Sequence, residues 1–189
     1  MEYLSTTELL RVLEAARKHG TREHAMFLLG YVHALRVSEI AHLTLADVRN
    51  GFVDVQRLKG SLHTRQALQS HSNPLLDEPA VLKAWLRERG DGDGSQFLFT
   101  SRQGSALTRR QIYRLFEHVC IRAGIAAGRR NIHILKHSIL AHLLRAGASV
   151  AYLQIAAGHK DPKATLRYTH VSDCEASEMV TSKMTEIFA

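Results

Sequence analysis

The sequence has little of what marks a membrane or secreted protein. No run approaches the ~18 to 20 apolar residues that a membrane-spanning helix needs, and the opening "MEYLSTTELL" has neither the basic start nor the apolar stretch of a secretory signal. A cytoplasmic location is the expectation. Cysteine is scarce: Cys120 and Cys174 stand alone, with no CxxC spacing, so there is no material for a disulfide framework or a cysteine-ligated zinc site. Both read as ordinary core or surface thiols. Internal repeats and low-complexity tracts are missing, and no linker divides the chain, so residues 1–189 are expected to form a single domain. Acidic residues are the scarcer charge, 18 against 25 Lys and Arg, which leaves a formal net charge of +7 and a pI near 9.7. That surplus is the electrostatic footprint of a protein that neutralises phosphates, although proteins that bind nothing anionic share it.

What is present is mostly helical periodicity. "STTELLRVLEAARKHG" opens with Ser5 and Glu8 at capping-box spacing, repeats apolar residues at Leu9, Val12, Leu13 and Ala16, and stops at Gly20. "EHAMFLLGYVHALRVSEIAHLTL" is too long for a strand and reads as two helices with a break near Ala34. Asn50–Gly51, then the alternating "FVDVQRLKG" and "HTRQALQ", predict a small antiparallel sheet with tight turns. Helix returns after Pro79, with Val81, Leu82, Trp85 and Leu86 on one face. Thr108 and Gln111 cap a further helix whose first residues, Arg109 and Arg110, oppose its own dipole and face either an external anion or solvent. "AAGRRN" is a basic loop. From Ile132 the pattern is helical again, broken at Gly147 and at Gly158–Pro162, where Asp161 and Pro162 would cap the helix that carries Tyr168. The fold class is therefore mainly α with a small antiparallel three-stranded β-sheet.

Attack of a side-chain hydroxyl on a phosphodiester requires cations for the non-bridging oxygens, an acid for the leaving oxygen and an oriented nucleophile. Arg36, Lys59 and Lys136 are candidate cations, His133 and His159 candidate hydrogen-bonding or acid–base groups, and Tyr168 the candidate nucleophile. Singly, each has a plainer reading. Arg36 would be a surface charge paired with Glu39, Lys59 a solubilising strand-edge charge, and Tyr168 a core residue beside Leu166 and Val171. His133 and His137, four apart, would share a helix face, but with no intervening Glu and no evident third ligand they make a poor metal site.

Taken in order, "LRVSE", Lys59 at a β turn, "HILKH", "GH" and Tyr168 form an ordered set. With it the chain resembles the catalytic domain of the tyrosine recombinases, the phage integrase family, from about Thr6 to about Ser172. The resemblance implies that Arg36 and Lys136 clamp the scissile phosphate and that Lys59 protonates the leaving 5′ oxygen. It implies that His133 bonds the phosphate and helps accept the tyrosine proton, that His159 holds the transition state, and that Tyr168 attacks to form a 3′-phosphotyrosyl link. Glu39 would orient the Arg36 fork and His137 would support the site. No metal and no cofactor would be needed, and the partner would be double-stranded DNA.

Two departures from the family pattern stand out. Lys136 occupies a position where the family usually has arginine, which keeps the cation and loses the two-pronged contact. The chain also begins almost directly at the region of resemblance, where most relatives carry an N-terminal core-binding domain, so the expectation is either a short recombinase similar to the fimbrial-type invertases or an excised catalytic domain. Charge and placement make Arg65, Arg109, Arg110, Arg129 and Arg130 the candidate DNA contacts. "SDCEASEMVTSKMTEIFA" reads as a final amphipathic helix, and the resemblance implies self-assembly on DNA through this tail. The expected activity is site-specific cutting and rejoining for integration, excision or inversion. The alternatives are a DNA-binding or regulatory protein weakened at Lys136, and a type IB topoisomerase-like relaxing activity.

Overall fold

The computed structural model describes residues 2–56, 63–90, 94–101, 103–159 and residue 165. Helix α1 (Thr6–His19) starts with both halves of its capping box: Glu8 N–H donates to the Ser5 hydroxyl, and the Glu8 carboxylate accepts from Ser5 N–H at 2.8 Å. Leu9, Val12, Leu13 and Ala16 are its buried face. Gly20 ends α1 and is also the N-cap of α2 (Thr21–Val32), which therefore begins sooner than the apolar run starting at Glu23 suggests. Ala25 to Tyr31 are all buried, because α2 packs on α1, α4 and α6 and has little face left for water.

The break near Ala34 is where the sequence placed it. Ala34 adopts φ +50°, and Leu35 N–H donates back to the Gly30 carbonyl at 3.0 Å, which turns the chain into α3 (Val37–His42). A helical turn at Leu45–Asp47 leads into β1 (Val48–Arg49), β2 (Phe52–Val55) and β3 (Thr64–Ala67), an antiparallel sheet in that order. Asn50 and Gly51 have φ of 54° and 78°, the paired positive values that a two-residue type I′ turn demands. Strand alternation puts Val53, Val55, Thr64 and Gln66 on the inward face, and Phe52, Asp54, Arg65 and Ala67 on the other.

Helix α4 (Glu78–Arg89) starts one residue before Pro79, which is tolerated because a first-turn N–H has no helical acceptor. Its Trp85 indole donates to the Leu98 carbonyl at 3.0 Å. Thr108 and Gln111 cap α5 (Arg109–Arg122) as expected, and α6 (His133–Arg145) and α7 (Val150–Ala157) follow. Gly147 and Gly158, at φ 88° and 65°, close these last two helices. Phe27 of α2 meets Phe116 of α5 edge to face, with ring centres 5.1 Å apart, in the main core. A smaller cluster of Leu140, Leu153 and Ala157 joins α6 to α7. Cys120 is a core thiol, pushed up to about 12 by burial; Cys174 lies outside the described residues.

Gly30 decides how closely the site-bearing helices approach. A Cβ there would lie 3.0 Å from Ile40 Cδ1 on α3 and 3.6 Å from Leu135 Cδ1 on α6. The missing side chain lets α3, with Arg36 at its start, and α6, with His133 and Lys136, close on the same end of α2.

Candidate active site

Arg36 is the N-cap of α3. Its backbone N–H donates to Glu39 Oε2 at 2.7 Å and its Nη1 donates to Oε1 at 3.0 Å. The Glu39 side chain is fully buried while that of Arg36 is 30% exposed. The pairing expected for a surface charge is therefore present, but the carboxylate lies in the core and holds the arginine fork from beneath. A buried carboxylate needs such partners to offset its lost hydration.

α6 supplies the next two residues. His133 N–H donates to the Asn131 side-chain oxygen at 3.0 Å, which starts the helix, and the His133 ring Nε2 lies 3.0 Å from the Tyr113 hydroxyl of α5. Burial, then the positive charges of Lys136 and Arg36, hold the His133 imidazole below its ordinary value. His133 and Lys136 lie three residues apart, on the same side of α6. Lys136, 6% exposed, donates from Nζ to the Ala157 carbonyl at 3.0 Å. An ammonium there meets the negative end of α7, where the last carbonyls have no helical donor.

Gly158 ends α7, and His159 follows, two residues after Ala157. The His159 backbone N–H donates to the Gln154 carbonyl at 3.0 Å, and its ring Nδ1 lies 3.0 Å from Thr165 Oγ1. His137, half-buried, is lowered by burial and by the neighbouring His133 and Lys136. Among the described residues no group of three or more His, Cys, Asp or Glu is placed to hold a metal ion, and no helix is long and apolar enough to cross a membrane. Lys59, Asp161, Pro162, Tyr168 and the C-terminal tail lie outside the described residues.

The candidate DNA contacts separate into two groups. Arg65, Arg109 and Arg110 are exposed, Arg65 with its guanidinium 4.5 Å from the centre of the Phe52 ring. Arg110 is three residues before Tyr113 and so on its side of α5. Arg129 instead pairs with Glu8 at 2.8 Å and donates to the Tyr3 carbonyl, and Arg130 Nε donates to the Ile125 carbonyl at 2.7 Å. These two brace the protein's own loop; the Arg129 guanidinium is the main cause that lowers Glu8 to about 2. Sequence reasoning missed Tyr113, because only the packing of α5 beside the start of α6 brings its hydroxyl to His133.

The fold is mainly helical with a small three-stranded sheet, and it carries a half-buried arginine at the start of α3, a histidine and a buried lysine on α6, and a buried histidine after α7. The family model described as the phage integrase family matches residues 2–175, and the chain belongs to this family, the tyrosine recombinases. It is 30% identical over 174 residues to the type 1 fimbriae regulatory protein FimE of Escherichia coli K12, covering 88% of this chain and 84% of that protein. It is 33% identical over 158 residues to the tyrosine recombinase XerD of Yersinia pestis, covering 80% of this chain and 50% of that one. The crystal structure of XerA recombinase matches with a TM-score of 0.78 at 26% identity, over 97% of this chain and 63% of that chain. The chain thus spans most of FimE, half of XerD and less than two thirds of XerA. The expected likeness to the fimbrial type is met by FimE, and the expected catalytic-domain fold by XerA.

Proposed function

We propose that the chain is the catalytic unit of a site-specific DNA recombinase that cuts and rejoins strands through Tyr168. The observation that carries this reading is the Lys136 Nζ contact to the Ala157 carbonyl at 3.0 Å, which ties α6, the helix of His133, to the end of α7 two residues before His159. Cations together with an imidazole suit a phosphate oxyanion and a base that takes up a hydroxyl proton. In this reading the Tyr168 oxygen attacks phosphorus, its proton passes toward His133, and the bond to the 5′ oxygen breaks as Lys59 donates a proton. Arg36, oriented by Glu39, binds the non-bridging oxygens, His159 bonds the transition state, and Lys136 adds charge while fixing α7. The 3′-phosphotyrosyl bond keeps the phosphodiester's energy, so a second 5′ hydroxyl reverses the step without metal or nucleotide. Arg65, Arg109 and Arg110 face the double-stranded DNA, and the tail beyond Ser172 links protomers on it in the cytoplasm.

One observation favours a second reading. Lys136 donates to a backbone carbonyl where the family usually has arginine, which supports a DNA-binding or regulatory protein with weakened chemistry. A nicked suicide DNA carrying a candidate site from beside the coding sequence separates the two. A heat-stable protein–DNA adduct that disappears in Tyr168→Phe supports the recombinase. Binding without adduct, restored by Lys136→Arg, assigns the silence to Lys136; binding without adduct in both proteins sinks the catalytic reading.

A further inference from the structure

A line of buried and half-buried polar groups crosses from α4 to α7. His33, the C-cap of α2 and three residues before Arg36, is 1% exposed. Its Nε2 lies 3.0 Å from Oε1 of Glu78, an ionic contact outside hydrogen-bond angles, and Glu78 Oε2 accepts from Gln69 N–H at 2.8 Å. On the other side of the ring, Nδ1 lies 3.0 Å from Gln66 Oε1 on the inward face of β3. Gln66 Nε2 then donates to the Ala156 carbonyl of α7 at 3.1 Å and to Thr64 Oγ1 at 3.3 Å. A carbonyl only accepts, so Ala156 dictates which end of the Gln66 amide it meets, and the amide oxygen is left facing His33. Both ring nitrogens of His33 therefore face oxygens, Gln66 Oε1 on one side and Glu78 Oε1 on the other.

This line joins the three segments that deliver the catalytic groups. His33 precedes the turn to Arg36, Gln66 sits on the strand that follows the Lys59 connection, and Ala156 is in the last turn before Gly158 and His159. α7 is only eight residues long, and Leu153 and Ala157 are its buried residues. Its end is held instead at adjacent carbonyls, Ala157 by Lys136 and Ala156 by Gln66. We propose that Gln66, backed by His33, is a positioning residue: through the Ala156 carbonyl it sets where the end of α7, and hence His159, stands relative to Arg36. The catalytic consequence rests on the recombinase reading above, whereas the tie itself is open to test without DNA.

The test uses the full chain and two variants, Gln66→Met and His33→Phe. Gln66→Met keeps the side-chain length and the His33–Glu78 contact while removing the link to Ala156. Amide hydrogen exchange at Gly158 and His159 is expected to quicken about tenfold, the loss of roughly one hydrogen bond, with exchange in α1 and α2 unchanged. The rate of adduct formation on the suicide DNA falls with it, about tenfold, at unchanged DNA affinity. Wild-type exchange at Gly158 and His159 in Gln66→Met overturns the proposal, and so does a rise spread evenly over all helices, which would mark Gln66 as a general stabiliser. If His33→Phe does not fold, Gln66→Met decides. If the wild-type chain forms no adduct, the recombinase reading fails while the exchange result still decides the tie.

Discussion

Replacing Glu39 by Gln asks how much the arginine fork depends on the carboxylate beneath it. The site demands two acceptors, one for Arg36 N–H at 2.7 Å and one for Nη1 at 3.0 Å. A carboxamide has a single oxygen, so one contact survives and the other becomes donor against donor. A hydrogen bond to a charged group contributes about 1.5–3 kcal/mol. Because the Arg36 side chain is 30% exposed and can turn toward water, the cost belongs near the lower end, about 2 kcal/mol. For a chain of this length each kcal/mol moves Tm by about 2–4 °C, so Glu39→Gln should melt about 4–8 °C below wild type in calorimetry. The urea midpoint should fall with it at unchanged slope. Adduct formation on the suicide DNA should slow by at least about tenfold, since a misdirected fork loses its placement on the phosphate. An unchanged Tm together with an unchanged cleavage rate would refute the reasoning, because it would mean that the buried carboxylate neither supports the fold nor holds Arg36.

Three further outcomes are expected. Gly30→Val forces a branched side chain onto Ile40 and Leu135 and should destabilise by about 1–3 kcal/mol in urea unfolding; a stable variant would contradict the close approach of α3 and α6. His24, His133 and His137 are all held below the ordinary 6.5, burial being the first cause in each. The unfolded chain therefore takes up protons first, so stability is full above about pH 6.5 and falls as pH drops through that value toward the folded ones. Melting followed from about pH 8 to about pH 5 should show the decline, and His24→Gln should flatten it; a Tm that rises on acidification would reverse the sign. Tyr113→Phe removes the hydroxyl 3.0 Å from His133 and should slow adduct formation without abolishing it, whereas Tyr168→Phe should abolish it. Loss of the adduct in Tyr113→Phe alone would make Tyr113 the nucleophile.

Element identity was legible because it is set by neighbours along the chain. The capping boxes at Ser5 and Thr108 bond across three residues, the Asn50–Gly51 turn needs only two positive φ angles, and the apolar spacing of Leu9, Val12, Leu13 and Ala16 is a property of a single helix. The family pattern was legible in the same way, as an ordered set of short segments. Arg129 and Arg130 show where this stops: as sequence they form a basic loop, and only the fold brings Glu8 and the Ile125 carbonyl to them. Thus the sequence by itself determined the mainly helical class, the small sheet, the break at Ala34 and the family. The tertiary structure alone decided that Glu39 is buried under Arg36, that Tyr113 reaches His133, and that Lys136 and Gln66 hold the end of α7. Helix starts and turns are closed by hydrogen bonds a few residues long, whereas burial, electrostatic neighbours and side-chain ties arise between segments whose approach is fixed by packing of the whole core.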